Sequence, residues 1–157
     1  MCLDISKTPQ QNTAEEDIFC YKILELYNHN LFNKKIDTKY SLLTFYKNFM
    51  INIGKTYESL IIKNSDGNIE QGLHSYAELS NIIDYLIDYR FNETNVIEDI
   101  NLVNGDMIDK NSKFFKYVHD YIVIAECIIP KGSTYYVGDF MGSKSYASDC
   151  LKYIKII

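Results

Sequence analysis

Nine residues near the C-terminus constrain this chain most. Tyr121-Ile122-Val123-Ile124-Ala125-Glu126-Cys127-Ile128-Ile129 is almost unbroken apolar sequence, β-branched in character and far shorter than a membrane span. Such a run reads as a strand covered on both faces, and so as the centre of a sheet. The residues after it fit a β-rich ending. Ile129-Pro130-Lys131-Gly132 carries Pro at the second and Gly at the fourth position of a type I turn. Tyr135-Tyr136-Val137-Gly138 resumes extended chain, and Asp139 to Ser143 is a glycine-bracketed loop. Cys150 to Ile156 then alternates apolar and polar residues, with lysines on one side, which predicts a last antiparallel strand.

The N-terminal half is less regular. Residues 1–14 are polar and aperiodic and read as an arm ahead of a single domain spanning 15–157. Ile18-Phe19-Cys20-Tyr21-Lys22-Ile23-Leu24 is β-branched and aromatic, a first strand. From Tyr27 to Asn48 the pattern fits either one short helix or an irregular packed loop. Lys55 to Ile62 reads as a second strand, and Asn64-Ser65-Asp66-Gly67 as a tight turn. Ser75-Tyr76-Ala77-Glu78 then has the form of a capping box. Leu79, Ile82, Ile83 and Leu86 follow at i, i+3, i+4 and i+7, which predicts a helix over about 76–90. Residues 92–118 are polar and read as an insertion. The expected fold is α+β: a mostly antiparallel sheet with this one main helix packed on a face.

Composition excludes some functions. The 157 residues carry a net charge of −5, against the basic face that generic nucleic-acid binding needs. A chain this long buries enough surface to fold without disulfides or a metal. Cys2, Cys20, Cys127 and Cys150 form no C-x-x-C pair, and the start lacks the form of a signal peptide, so reduced thiols in a cytosol are expected. No membrane contact is expected. Asn, Ile, Lys and Tyr make up 65 of the 157 residues, which points to an AT-rich genome and weakens the information in any single lysine.

Few patterns carry chemistry. Gly54-Lys55-Thr56 is not a P-loop, because Phe49 stands where the motif needs its first glycine and a strand follows instead of a helix. His29, His74 and His119 are far apart and lack ligand spacing, so neither a metal nor another cofactor is expected. Nucleophilic catalysis would need a Cys or Ser next to a base; His74 with Cys127 or Cys150 is conceivable, but nothing in the sequence places them together. Two groups could instead hold a ligand. His74, Ser75 and Tyr76 would sit at the helix N-terminus, where unpaired N–H groups suit anions; the plain alternative is a simple cap. Lys131, Ser133, Thr134, Tyr135 and Tyr136, with Lys144, Ser145, Tyr146 and Ser148, form two loops flanking one strand pair. Lysines and hydroxyls contact phosphate and tyrosines stack on a base; the plain alternative is a well-made hairpin with half-buried rings.

Several stretches together resemble a loose group of small phage, prophage and gut-bacterial proteins. They are Tyr21-Lys22-Ile23-Leu24, Gly54-Lys55-Thr56-Tyr57, Gly72-Leu73-His74-Ser75-Tyr76, Ile129-Pro130-Lys131-Gly132-Ser133-Thr134-Tyr135-Tyr136-Val137-Gly138, and Tyr146-Ala147-Ser148-Asp149-Cys150-Leu151-Lys152-Tyr153. The resemblance implies a genomic setting, and a place in the host cytosol, more than a reaction. By analogy with small phage proteins that counter host immunity, it points to a non-enzymatic binder sequestering a nucleotide-type immune signal. A protein–protein inhibitor or adaptor acting on a host defence protein is the alternative, since acidic charge and exposed tyrosines suit docking. A cryptic NAD or nucleotide enzyme is a third reading, though the late glutamate of ADP-ribosyltransferase cores has no counterpart near Tyr146-Ala147-Ser148-Asp149. An apolar C-terminal edge strand would also admit a homo-oligomer.

Overall fold

The structure, a computed structural model, describes residues 2–28, 40–44, 50–82 and 122–157. Twelve strands lie within these residues. They are β1 (Asn12–Thr13), β2 (Ile18–Asn28), β3 (Tyr40–Thr44), β4 (Met50–Ile51), β5 (Thr56–Glu58), β6 (Ile62–Lys63), β7 (Ile69–Gln71), β8 (Leu73–Tyr76), β9 (Ile122–Ile129), β10 (Thr134–Phe140), β11 (Ser143–Ser148) and β12 (Cys150–Ile156). Ten of them form one antiparallel sheet in the order β1-β10-β11-β8-β2-β9-β12-β5, with β3 and β4 branching from β2; β6 and β7 make a separate hairpin.

The apolar run is central, as its composition requires. β9 pairs with β2 on one edge and with β12 on the other. Ala125, Cys127 and Ile129 of β9 are fully buried, together with Cys20 and Leu24 of β2 and Leu151 and Tyr153 of β12. Against this core pack Leu73, Tyr135 and Tyr146, from strands on the far side of the sheet order. Two strands that belong to opposite halves of the sheet, β11 and β12, are joined by Asp149 alone. The sheet therefore folds over on itself around that corner. Asp149 secures it: its N–H donates to Thr134 O at 3.0 Å, its Oδ1 accepts the Thr134 N–H at 3.0 Å, and its carbonyl accepts the Ser59 N–H at 2.9 Å.

Residues 2–14 are built into the domain. Leu3 and Ile5 are 2% exposed and form a second core with Ile69, Tyr136 and Ala147. Asp4 exchanges backbone hydrogen bonds with Asp139, and β1 pairs with β10. Gly138 makes this contact fit, since a Cβ there would collide with the Asp4 carbonyl and the Leu3 side chain.

The expected α+β class is overturned. Among the described residues strand predominates and helix accounts for 4%, with no helix of seven residues or more. The capping-box segment is the source of the error. Leu73–Tyr76 pairs with β11 and buries His74, Ser75 and Tyr76, so Ser75 caps nothing. A helical turn begins only at Leu79, with Ile82 fully buried, and residues 83–90 of the expected helix lie outside the described residues. A hydroxyl and a carboxylate three residues apart fit either state locally; pairing with β11, far away in sequence, decides for the strand. The insertion read at 92–118 also lies outside the described residues. Among the described residues no helix is long and apolar enough to cross a membrane.

Candidate functional site

The sheet forks at β2. One edge of β2 is filled by β9 from Ile18 to Glu25. The other edge is shared: β8 meets it at Tyr21, opposite Tyr76, and β3 takes over at Leu24, opposite Thr44. Between those points Lys22 and Ile23 have no described strand beside them on that edge. Two diverging strands leave a gap, and a cleft of about 400 Å³ opens there. It is lined by Lys22 and Ile23 of β2, Thr44 of β3, Ile51 of β4, His74, Ser75 and Tyr76 of β8, and Tyr57 and Tyr153 across the core, with the exposed Glu58 and Glu70 also on its wall. The volume lies within the roughly 300–1,000 Å³ typical of small-molecule sites.

Lys22 is the unusual group. It stands on β2 between the fully buried Cys20 and Leu24, in register with the fully buried Ala125. Alternation thus places a lysine where an apolar residue would complete the core face. Its Nζ donates to the His74 carbonyl at 2.7 Å, bridging the gap that the missing ladder leaves. No described carboxylate lies within 4.0 Å of it; the described ion pair is Lys155–Glu126. Loss of hydration holds its pKa below the ordinary lysine value, while the nearby Cys127 and Cys20 act weakly in the other direction. Buried cations are usually paired. This one faces an open cleft instead.

The expected site residues separate into two groups. His74, Ser75, Tyr76 and Ser145 line the cleft, on strands and not at a helix start. Ser75 is buried beside Cys20, and Tyr76 packs edge-on to Phe140 at 6.3 Å. The two loops, by contrast, lie at opposite ends of β10, whose seven residues span roughly 20 Å. Lys131 and Lys144 are both exposed, one at each end.

The Lys131 loop is a structural turn. Lys131 N–H donates to Asp17 Oδ1, Gly132 N–H to Ala14 O, Ser133 N–H to Pro130 O and Thr134 N–H to Asp149 Oδ1. Every backbone donor that a phosphate would need there is already used. The tyrosines are also engaged. Tyr135 packs on Tyr146 at 5.9 Å within the core, while Tyr136 is buried under the N-terminal segment with its hydroxyl on Gln11 Oε1 and Lys63 over its ring. Ser148 donates to the Cys150 carbonyl at 2.9 Å.

Lys22, Ile51, Tyr57 and Tyr153 are among the cleft residues that the sequence patterns missed. A signal was present for Lys22: it is the single charged residue in the apolar stretch Ile18–Leu24, in phase with Cys20 and Leu24. Among the described residues no cluster of three His, Cys, Asp or Glu could hold a metal ion. Burial pushes the Cys20 thiol up to about 11 and raises that of Cys127 as well, so neither is poised as a nucleophile. No protein-family model, curated protein or solved structure matches the chain.

Proposed function

We propose that the protein is a non-enzymatic binder of a small nucleotide-type anion, held in the cleft at the β2 fork. In the setting that the resemblance implies, binding sequesters an immune signal without turnover. One observation carries the reading: a half-buried lysine without a described carboxylate partner faces a cleft of ligand size. Its ammonium would meet the phosphate, while Tyr57, Tyr76 and Ile51 offer apolar surface to a base. Glu58 and Glu70 on the wall disfavour a ligand of high negative charge. A cyclic mononucleotide therefore fits the cleft better than a cyclic dinucleotide.

The test is calorimetric titration with cyclic AMP and cyclic di-AMP, followed by mass analysis of the ligand recovered after denaturation. The reading expects one cyclic mononucleotide per chain, recovered intact, and at least a tenfold loss of affinity in Lys22→Met. Absence of nucleotide binding, with one host protein retained at stoichiometric yield, would transfer the weight to the adaptor reading. Recovery of a cleaved nucleotide would revive the enzymatic one.

A further inference from the structure

We propose that Lys22 is a carbonyl-capturing residue, whose Nζ condenses reversibly with the aldehyde or ketone of a small ligand in the cleft to form an imine. This does not depend on the nucleotide reading. Three features of the site carry it. The amine lies on the wall of a cleft large enough to admit a small organic carbonyl compound. The His74 carbonyl, 2.7 Å away, accepts one N–H and fixes the nitrogen on that wall. No described carboxylate pairs with it to hold the charged form. Exposed lysines such as Lys131 and Lys144 also lack a described carboxylate partner, but neither lies on the cleft wall. Loss of hydration also lowers the pKa of Lys22, which enlarges the neutral, nucleophilic fraction.

The reaction needs no oxidant or reductant. The nitrogen lone pair adds to the carbonyl carbon, and the C=O π pair moves to oxygen. One amine hydrogen transfers to that oxygen, giving a carbinolamine. The second leaves with the hydroxyl as water, and the C=N bond forms. Water returns the amine and the carbonyl compound unchanged.

The probe is pyridoxal 5′-phosphate, with phosphate-free pyridoxal in a parallel arm, added at one equivalent near neutral pH. Borohydride then reduces the C=N bond to a stable amine, and peptide mapping locates the label among the 15 lysines. The expected result is label concentrated on Lys22, at least tenfold above any other lysine. Equal labelling by both probes would assign the capture to the carbonyl chemistry alone; stronger labelling by the phosphate form would add an anion contact in the same cleft. Lys22→Arg, which keeps the charge but has no amine able to form the imine, should lose that label while keeping the wild-type circular dichroism spectrum. Label spread over the exposed lysines, or absent from Lys22 in the wild-type chain, would overturn the proposal. The wild-type map decides between these outcomes even if the variant fails to fold.

Discussion

Lys22 donates a 2.7 Å hydrogen bond from Nζ to the backbone carbonyl of His74, across the gap where β8 and β3 part along β2. A side chain here replaces a ladder hydrogen bond. The bridge spans the fork and sets a cation among the fully buried Cys20, Leu24 and Ala125.

A desolvated cation on a core face costs stability. Lys22→Met keeps the stem, removes the desolvated charge and leaves His74 O to water in the cleft. It should raise stability by about 0.5–2 kcal/mol while weakening ligand binding. The sign with pH follows from the lowered pKa. The unfolded chain binds the extra proton between the folded value and 10.5, so this group makes stability rise with pH across that window. Urea titrations of wild type and variant at several pH values check both points. A variant less stable than wild type would mean that the bridge itself holds the fork together.

The β10–β11 hairpin turns on Met141 and Gly142, with φ of 52° and 83°. Positive φ at both central positions is the type I′ geometry that matches strand twist, and a non-glycine residue there costs roughly 1–2 kcal/mol. Met141 is 48% exposed, so its side chain adds little packing. Met141→Asn should stabilise the protein by about 1 kcal/mol, seen as a melting-temperature rise of roughly 2–4 °C. An unchanged or lower melting temperature would show that the strain is absorbed elsewhere.

Gly138 lies under the N-terminal segment. A methyl group there meets the Asp4 carbonyl and the Leu3 side chain, both in a segment already bonded to Asp139. Gly138→Ala should cost about 1–3 kcal/mol and release residues 2–11 to proteolysis, with the hairpin retained. Wild-type resistance in the variant would mean that the segment can shift without loss.

The four thiols should differ sharply in reactivity. Cys2 is exposed, Cys150 is partly covered, and Cys20 and Cys127 are fully buried. An aromatic disulfide reagent at neutral pH should modify Cys2 quickly, and Cys20 and Cys127 only on unfolding. Burial raises the Cys20 pKa from 9.0 to about 11, so its neutral form contributes stability that is full below 9.0 and lost as pH rises through about 11. Cys20→Ala should flatten that part of the alkaline decline. Rapid reaction of all four thiols in the native state would be incompatible with this core.

Local sequence determined the β character of the C-terminal third. An apolar run flanked by turn residues is extended and central wherever it lands, and Ile122–Ile129 is. The alternation in Cys150–Ile156, the Asn64–Gly67 turn and the strand beginning at Ile18 are likewise set by neighbours a few residues away. Tertiary pairing decided the rest. Ser75 and Glu78 satisfy a helix cap as written, yet β11 recruits the segment into the sheet. The Lys131 and Lys144 loops look adjacent in sequence, but a strand of seven residues holds them apart. Lys22 reads as one lysine among many in a lysine-rich chain. Its meaning emerges only when β8 and β3 diverge along the same edge of β2, because a gap between strands is a property of their pairing and not of any one of them.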